Sequence, residues 1–360
     1  MGETGYLASV KEKLRRTICV FPMGIAGKAM KDKLHELGIE IDCFSDNNEK
    51  LWGTEYKGKK CISVPELCEM EQDSLTVIVE SLYYKEIKEQ LKSKGIKNIC
   101  RIYYEKIAAE EYTASHDIKE DVEAVLALCA DQKSKDVYQH LIASWTMKEL
   151  TDSYFETVYS KTQYFDKSVL ALNDDEVYVD CGAYIGDSAE AFLSACGGQY
   201  EKMHLFELDP EIYKRLCKEV PKLHEKGNGL IQCYPYGVSS ENAEIHFVSG
   251  DSSSAISSQT KGQTELVTGK VKKLDEILAG EKVTFIKMDI EGAEMGALKG
   301  AEHIIKSQKP ALAVCIYHSP YDMLKIPQYI KKLVPEYRIF IRHYTDEMLE
   351  TVCYAVLDTR

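Results

Sequence analysis

The sequence has neither an excess of basic residues nor a long apolar run. Its 360 residues include 45 lysines and arginines against 58 aspartates and glutamates, which gives a net charge of −13 at pH 7. Binding to nucleic acid or to an anionic membrane depends on positive surface charge, so this balance argues against both partners. No apolar run approaches the roughly 20 residues that a membrane-spanning helix needs. The N-terminal segment MGETGYLASVKEKLRR also lacks the apolar stretch of a signal peptide.

Cysteine motifs for metal binding are missing as well. The 12 cysteines form no C-x-x-C pair, and no cluster of histidine and cysteine has zinc-site spacing. Several lie inside apolar runs, as Cys19, Cys43 and Cys315 do, where a free cysteine acts as a small hydrophobic residue. We therefore expect a reduced, cytoplasmic protein without a metal site.

The order of apolar and polar segments predicts two α/β domains. A chain of this length has more residues than a single hydrophobic core usually organises. We expect a small Rossmann-like domain over residues 1–107, a helical connector over 108–164, and a larger doubly wound domain over 165–360. The aromatic-rich stretch 152–166 is expected mainly to pack between domains, with a few rings lining a substrate entrance. The serine cluster at 251–258 predicts a flexible loop or a lid.

The first domain carries an altered dinucleotide-binding pattern. A strand, a glycine turn and a helix lead to a second strand that ends at Asp46, where dinucleotide folds have an acid for ribose. Pro22, however, stands in place of the first glycine of G-x-G-x-x-G. Gly24 and Gly27 then indicate either a ligand site or close packing of helix on strand. Both interpretations stay open.

The motif VYVDCGAYIGDS organises the second domain. Apolar residues alternate up to Asp180, which predicts a buried strand. Gly182 and Gly186 allow a tight turn and a close approach to the backbone. Asp187 and Ser188 are residue types that begin helices, whose free N–H groups suit an anionic or carboxylate group. The motif therefore predicts a nucleotide-type pocket.

Polar side chains follow several strands of this domain, at the point where each strand ends. In a doubly wound sheet, ligands bind at the carboxyl ends of the strands, so we expect these side chains to share one cleft. They are Asp180 after the first strand, Glu207 and Asp209 after the second, Asp289 and Glu291 after the fourth, and His318 after the fifth.

The position of Glu207 suits an acid that binds ribose hydroxyls, and both NAD and S-adenosylmethionine carry a ribose. The turn D-x-G-x-x-x-G distinguishes between the two cofactors better than Glu207 does. An acid at the turn, Asp180, has no partner in a pyrophosphate but has one in the amino group of methionine.

Six motifs of the second domain occur in this order along the chain: VDCGAYIGDS, LFELDP, YGVSS, GDSSSAIS, KKLDEIL and IKMDIEGAEMGALKGA. Together they resemble the FkbM-type methyltransferases, a class I S-adenosylmethionine-dependent family, over about residues 165–358. The resemblance implies a seven-stranded sheet with a final antiparallel hairpin, bound S-adenosylmethionine, and O-methylation of a sugar, glycan or secondary-metabolite hydroxyl. The first domain resembles the small N-terminal domain of some bacterial sugar-modifying methyltransferases and acyltransferases, which binds a nucleotide or sugar or only supports the enzyme.

The resemblance also implies roles for single residues. The turn glycines and Asp180 would hold the methionine end, Glu207 the ribose, and residues 237–239 the adenine, with Asp289 beside the sulfonium. An aromatic residue at Tyr184 replaces a glycine of many class I enzymes but is normal for this family. The predicted cofactor-binding set is Asp180, Gly182, Ala183, Tyr184, Gly186, Asp187, Ser188, Glu207, Asp209, Gly237, Val238 and Asp289.

Methyl transfer to an alcohol needs alignment of the reactants and removal of the hydroxyl proton. Histidine titrates nearest to neutral pH, so His318 is the first candidate for the base, with Asp289 and Glu291 as bases or orienting groups. A strand-end hydrogen-bonding role for His318 is an equal alternative. His343 is expected at the surface or at a helix cap rather than in the cleft. A metal held by the two acids is disfavoured, because a simple alcohol needs none.

Two rival functions remain. An NAD-dependent nucleotide-sugar oxidoreductase would use the first domain, but Pro22 and the lack of a downstream Tyr-x-x-x-Lys segment weaken it. A non-catalytic S-adenosylmethionine-binding protein is opposed by the intact set of strand-end acids. We expect a small-molecule or glycan substrate, and homo-oligomerisation is left open.

Overall fold

The computed structural model describes residues 5–81, 83–151, 153–248 and 266–358. The chain divides into two compact units, Met1–Glu111 and Tyr112–Arg360. All 12 cysteines are free. Within the described ranges, no helix is both long and apolar enough to cross a membrane. The predicted serine-rich lid lies outside the described residues.

The first unit is built on a six-stranded sheet in the order β3-β4-β2-β1-β5-β6. Its strands are Thr17–Phe21 (β1), Cys43–Asp46 (β2), Glu55–Tyr56 (β3), Lys59–Ser63 (β4), Leu75–Val79 (β5) and Ile99–Cys100 (β6). Its helices are Gly5–Lys13 (α1), Ile25–Glu36 (α2), Val64–Glu69 (α3), Tyr84–Ser93 (α4) and the start of Tyr104–Ser115 (α5). The central strands β1 and β5 are almost wholly apolar because helices cover both faces of a parallel sheet.

Contacts within the protein explain Gly27 and Asp46 of the altered dinucleotide-binding pattern. A Cβ added to Gly27 would lie 1.9 Å from the Pro22 carbonyl oxygen, so this glycine lets α2 approach the end of β1. Asp46 accepts the backbone N–H groups of Met23 and Asn48 through its two carboxylate oxygens, each at 2.8 Å. Ligand binding by this unit stays a prediction.

The second unit contains a seven-stranded sheet and a separate three-stranded one. Its strands are Val177–Cys181 (β7), Lys202–Phe206 (β8), Leu230–Tyr234 (β9), Gly237–Val238 (β10), Ala243–Val248 (β11), Leu266–Lys272 (β12), Phe285–Met288 (β13), Ala311–Cys315 (β14), Arg338–His343 (β15) and Thr351–Val356 (β16). Its helices are Lys119–Leu128 (α6), Gln132–Thr146 (α7), Asp187–Ala195 (α8), Pro210–His224 (α9), Leu274–Ile277 (α10), Glu294–Gly300 (α11), Glu302–Gln308 (α12) and Pro320–Leu333 (α13).

The large sheet has the order β15-β16-β14-β13-β7-β8-β9. Strands β7, β8, β9, β13 and β14 pair in parallel, whereas β16 is antiparallel to both β14 and β15. The predicted seven strands and final hairpin are therefore confirmed. The chain runs outward from β7 to β9 and returns on the other side at β13, so a crevice forms at the carboxyl ends of β7 and β13.

The three-stranded sheet was only partly predicted. It has the order β10-β12-β11. The alternation of AEIHFV indicates a strand at β11, whereas β12 lacks such a signal. The segment LVTGKVK alternates weakly and carries two lysines and a glycine, so its composition gave little strand signal.

The helices after the first unit belong to the second unit by their contacts. The N–H of Ala130 donates to the carbonyl oxygen of Ile339 in β15 at 2.8 Å. The guanidinium of Arg342, also in β15, lies 2.6 Å from a carboxylate oxygen of Asp131, the N-cap of α7. Burial raises the pKa of Asp131, but Arg342 and Ser134 outweigh it and lower this pKa to about 2.

We expect Asp131→Asn to lower the free energy of unfolding by about 2 kcal/mol, less than for a fully buried ion pair, because Arg342 also lies 3.7 Å from Asp166. Arg342 keeps only 2% of its side chain exposed, while Asp131 keeps 34%. The stabilisation is present above the ordinary pKa of 3.8 and is lost as the pH falls toward 2. Urea denaturation measures both effects. The exposed Asp136→Asn on the same helix is the control, and equal losses in the two variants would contradict the assignment.

Candidate active site

A cavity of about 250 Å³ opens at the carboxyl ends of β7, β8, β13 and β14. Most of the predicted site residues line it: Gly182, Tyr184, Asp187, Ser188, Glu207, Gly237, Val238, Asp289 and Glu291. Four polar residues that the sequence analysis did not single out also line it: Tyr164, Lys287, Tyr317 and Glu350. Asp180, Ala183, Gly186, Asp209 and His318 are not among the lining residues.

The turn after β7 is shaped by the approach of another strand. Gly182 has a φ of +84°, and a Cβ there would lie 2.0 Å from the carbonyl oxygen of Asp289. The N–H groups of Gly182 and Ala183 both donate to the carbonyl oxygen of Phe206, at 3.1 and 2.9 Å. Gly186, at a φ of +94°, is the N-cap of α8. The first glycine of the motif thus makes room for the protein's own backbone.

Asp180 lies beneath the cavity, fully buried, and pairs with a residue of the neighbouring strand. Its carboxylate is 3.0 Å from Nζ of Lys287 and accepts the Ser188 hydroxyl at 2.5 Å. Lys287 also donates to the carbonyl oxygen of Gly182 at 2.8 Å. Burial opposes the charged form of this lysine, but Asp180 and Asp289 outweigh it and raise the pKa of Lys287. Asp180 itself does not line the cavity but positions Lys287 and Ser188, which do.

Glu207 faces the cavity from the end of β8. Its two oxygens accept the N–H groups of Tyr184 and Asp209, at 3.0 and 2.8 Å. Burial raises the pKa of Glu207 to about 7, although these two N–H groups act in the opposite direction. The neighbouring Asp209 is fully buried as the N-cap of α9, where it accepts the N–H groups of Glu211 and Ile212. Asp209 therefore shapes the start of the helix rather than the cavity wall.

The wall near Gly237 is apolar. A Cβ on Gly237 would contact the side chains of Val271 and Leu208, at 3.1 and 3.2 Å. Val238 and Ile212 line the same cavity. A flat aromatic group could pack between such side chains without losing hydrogen bonds.

Asp289 is held by two tyrosines. Tyr164 donates to one carboxylate oxygen at 2.7 Å, and Tyr317 donates to the other at 3.2 Å. Burial raises the pKa of Asp289, but Lys287 and His318 outweigh it and hold this pKa below its usual value. Asp289 is therefore an oriented, ionised carboxylate at the cavity.

His318 stands behind the cavity, between carboxylates. Its Nε2 lies 3.5 Å from Asp289 and 3.7 Å from Glu291, and its Nδ1 lies 3.1 Å from Glu294. Burial lowers the pKa of His318, but Glu294 and the other two acids outweigh burial and raise it to about 9. The surrounding acids thus favour the charged ring, whereas the predicted general base requires a neutral ring.

Two further carboxylates face the cavity near Asp289. Glu291 sits in the left-handed region at a φ of +57° and keeps 34% of its side chain exposed. Burial raises the pKa of Glu291 to about 7. Glu350, in the turn before β16, accepts hydrogen bonds from Gln163 and Tyr317, and burial raises its pKa as well. This part of the cavity therefore carries an excess of acidic groups.

One expectation about an individual residue changes. His343 was predicted at the surface or at a helix cap, which is wrong, because it is fully buried in β15 and shares a hydrogen bond with Thr351 at 2.9 Å. Tyr164 belongs to the aromatic-rich stretch 152–166, of which a few rings were expected to line a substrate entrance, and it lines the cavity with its hydroxyl on Asp289. A further sequence signal existed for Lys287, since a lysine inside an apolar strand needs a buried partner.

Residues 180–348 match the model of the family described as "Methyltransferase FkbM domain", and residues 14–103 match "C2185-like, N-terminal". Among curated proteins, none matches the chain. An FkbM methyltransferase from Methylobacillus flagellatus has 22% identity and a TM-score of 0.72, covering 98% of this chain and 95% of its own. That likeness shows a shared fold.

More distant structures include fibrillarin from Aeropyrum pernix with bound S-adenosyl-L-methionine, at 13% identity and a TM-score of 0.33 over 53% of this chain and 71% of its own. An rRNA methylase from Streptococcus thermophilus has 13% identity and a TM-score of 0.32, over 52% and 91%.

The close approach at Gly182 can be measured against a second glycine of similar conformation. Gly182→Ala and Gly280→Ala both place alanine at a positive φ, +84° and +82°, but only Gly182 has atoms within 4 Å of the added Cβ. We expect Gly280→Ala to lower the free energy of unfolding by about 1–2 kcal/mol and Gly182→Ala by at least about 2 kcal/mol more. Urea denaturation measures both, and equal losses would show that β13 does not constrain the turn.

Proposed function

We propose that this chain, whose residues 180–348 form an FkbM-type methyltransferase domain, methylates a hydroxyl group of a sugar, a glycan or a secondary metabolite. The chain is an S-adenosylmethionine-dependent methyltransferase. One observation carries the proposal: a single cavity is lined by the carboxylate of Glu207, by an apolar wall and by an acidic cluster around Asp289.

Different parts of the cavity suit different parts of S-adenosylmethionine. The carboxylate of Glu207 can accept hydrogen bonds from the ribose hydroxyls, and the apolar side chains near Gly237 can enclose the adenine. The cofactor supplies a methyl group on a positively charged sulfur. The carboxylate of Asp289 would attract that charge, and the N–H groups at the start of α8 would suit the methionine carboxylate.

The acceptor hydroxyl must lie in line with the methyl group and give up its proton. We assign the orienting role to Asp289, because tyrosine hydroxyls already fix both of its oxygens. Glu291 also lines the cavity and keeps part of its side chain exposed, so we assign it the acceptor proton. His318 is enclosed behind these acids, so we assign it a role in holding them.

Calorimetry with S-adenosylhomocysteine and NAD tests the cofactor site. We expect S-adenosylhomocysteine to bind and NAD not to bind, and Glu207→Gln to weaken binding at least about tenfold through loss of charged hydrogen bonds. Ribose hydroxyls prefer the ionised carboxylate, so wild-type affinity should fall as the pH drops from about 8 to about 6, by up to about tenfold per pH unit. Glu219→Gln, on α9 and outside the cavity lining, serves as the control. NAD binding alone would favour the oxidoreductase instead.

Turnover on a panel of sugars with labelled S-adenosylmethionine tests the acceptor end. We expect Glu291→Gln and Asp289→Asn to lower kcat at least about a hundredfold, the usual contribution of a positioned proton acceptor. The affinity of Glu291→Gln for S-adenosylhomocysteine should stay within about twofold of wild type, because the substitution keeps the side-chain shape. Full activity of Glu291→Gln would remove this residue from the mechanism, and cofactor binding without turnover on any acceptor would favour a binding protein.

A further inference from the structure

A compact group of metal-ligand types lies behind the cavity wall. Asp289, Glu294 and His318 each offer one ligand atom, and these three atoms lie within 4.8 Å of one another. The ring of His318 is 9% exposed and Glu294 is fully buried. Glu291 adds a further carboxylate 3.7 Å from the ring. The group thus concentrates acidic charge where little solvent can screen it.

One atom of this group lacks the partner that burial demands. Oε1 of Glu294 accepts the N–H of Ile290 at 2.8 Å, but its Oε2 has no hydrogen-bond partner among the described residues. Buried polar atoms are normally satisfied, so this oxygen points to a donor or a cation. The ring nitrogens of His318 face carboxylates at 3.1 to 3.7 Å, and a bound ion would take the place of a ring proton there.

We propose that Asp289, Glu294 and His318 bind one divalent cation of the Mg²⁺ and Mn²⁺ class. Two carboxylates with one imidazole form a mainly oxygen-donor set, which suits these hard ions rather than a thiolate-preferring metal. Three protein ligands leave coordination positions for water or substrate oxygen. This assignment replaces the expectation from the sequence that no metal is bound.

The position of the site gives the ion a task in methyl transfer, which rests on the proposed function. Asp289 lines the cavity, so an acceptor hydroxyl beside it could also contact the ion. A cation at the oxygen lowers the pKa of the hydroxyl. The proton passes to Glu291, the oxygen forms a bond to the methyl carbon, and the carbon–sulfur bond breaks to leave a neutral thioether.

Titration of the full chain with Mn²⁺, followed by calorimetry and by electron paramagnetic resonance, tests the site without an acceptor. We expect one ion per chain in the wild type, and Glu294→Gln and His318→Asn to weaken the affinity more than about tenfold. Gln at position 294 keeps an oxygen for the N–H of Ile290. The controls are Glu219→Gln on α9 and the exposed His303→Asn, both outside the cluster, which should stay within about twofold of wild type.

Several outcomes would overturn the proposal. One is the absence of stoichiometric binding to the wild type up to about 5 mM Mn²⁺, beyond the range of weak protein sites. Another is an affinity for Mn²⁺ that is the same in Glu294→Gln and His318→Asn as in the wild type. Thermal melting without metal shows whether the variants fold, and the wild-type titration decides the matter if they do not. S-adenosylhomocysteine affinity is measured separately, so failure of the cofactor site and failure of the cation site are distinguishable.

Discussion

The buried ion pair between Asp180 and Lys287 is the interaction on which the rest of the site depends. The two residues are register partners on β7 and β13, the strands that flank the crevice. Each charge would be costly to bury alone, so the pair fixes the two strand ends together. Lys287 also binds the carbonyl oxygen of Gly182, while the carbonyl of Asp289 passes over the same glycine. The turn and the acidic end of the cavity are therefore placed by one set of contacts.

The charge distribution of the cavity follows from this arrangement. Lys287 pairs with Asp180 and a backbone carbonyl, and it also favours the charged form of Asp289. His318 is a second nearby cation, and it is shared among three carboxylates. The remaining excess of negative charge is complementary to a sulfonium, and the adjoining apolar wall is complementary to an aromatic base. A ligand with both features gains from each part, whereas a pyrophosphate would meet repulsion at the acidic end.

The sequence predicted the strand-end carboxylates but not their orientations. Glu207 and Asp289 line the cavity as predicted, whereas Asp180 and Asp209 turn to a lysine and to helix N–H groups. A carboxylate that faces a ligand and one that caps a helix occupy the same kind of position in a sequence, because both follow a strand. The contact of Tyr164 with Asp289 could not be predicted, for a different reason. This tyrosine contacts Asp289 across 125 positions of the chain, and only tertiary packing brings such residues together.

Glu350 shows why the final hairpin matters to the site as well as to the sheet. Because β16 runs antiparallel to β14, the beginning of β16 lies beside the end of β14, and the N–H of Ile316 donates to the carbonyl of Thr351 at 2.9 Å. The residue before β16 therefore meets the carboxyl edge of the parallel strands. A parallel strand in that place would bring its starting residues to the opposite edge, away from the cleft. The reversed strand thus adds Glu350 to the wall opened by β13 and β14, and its positive φ of +57° belongs to the turn that delivers it.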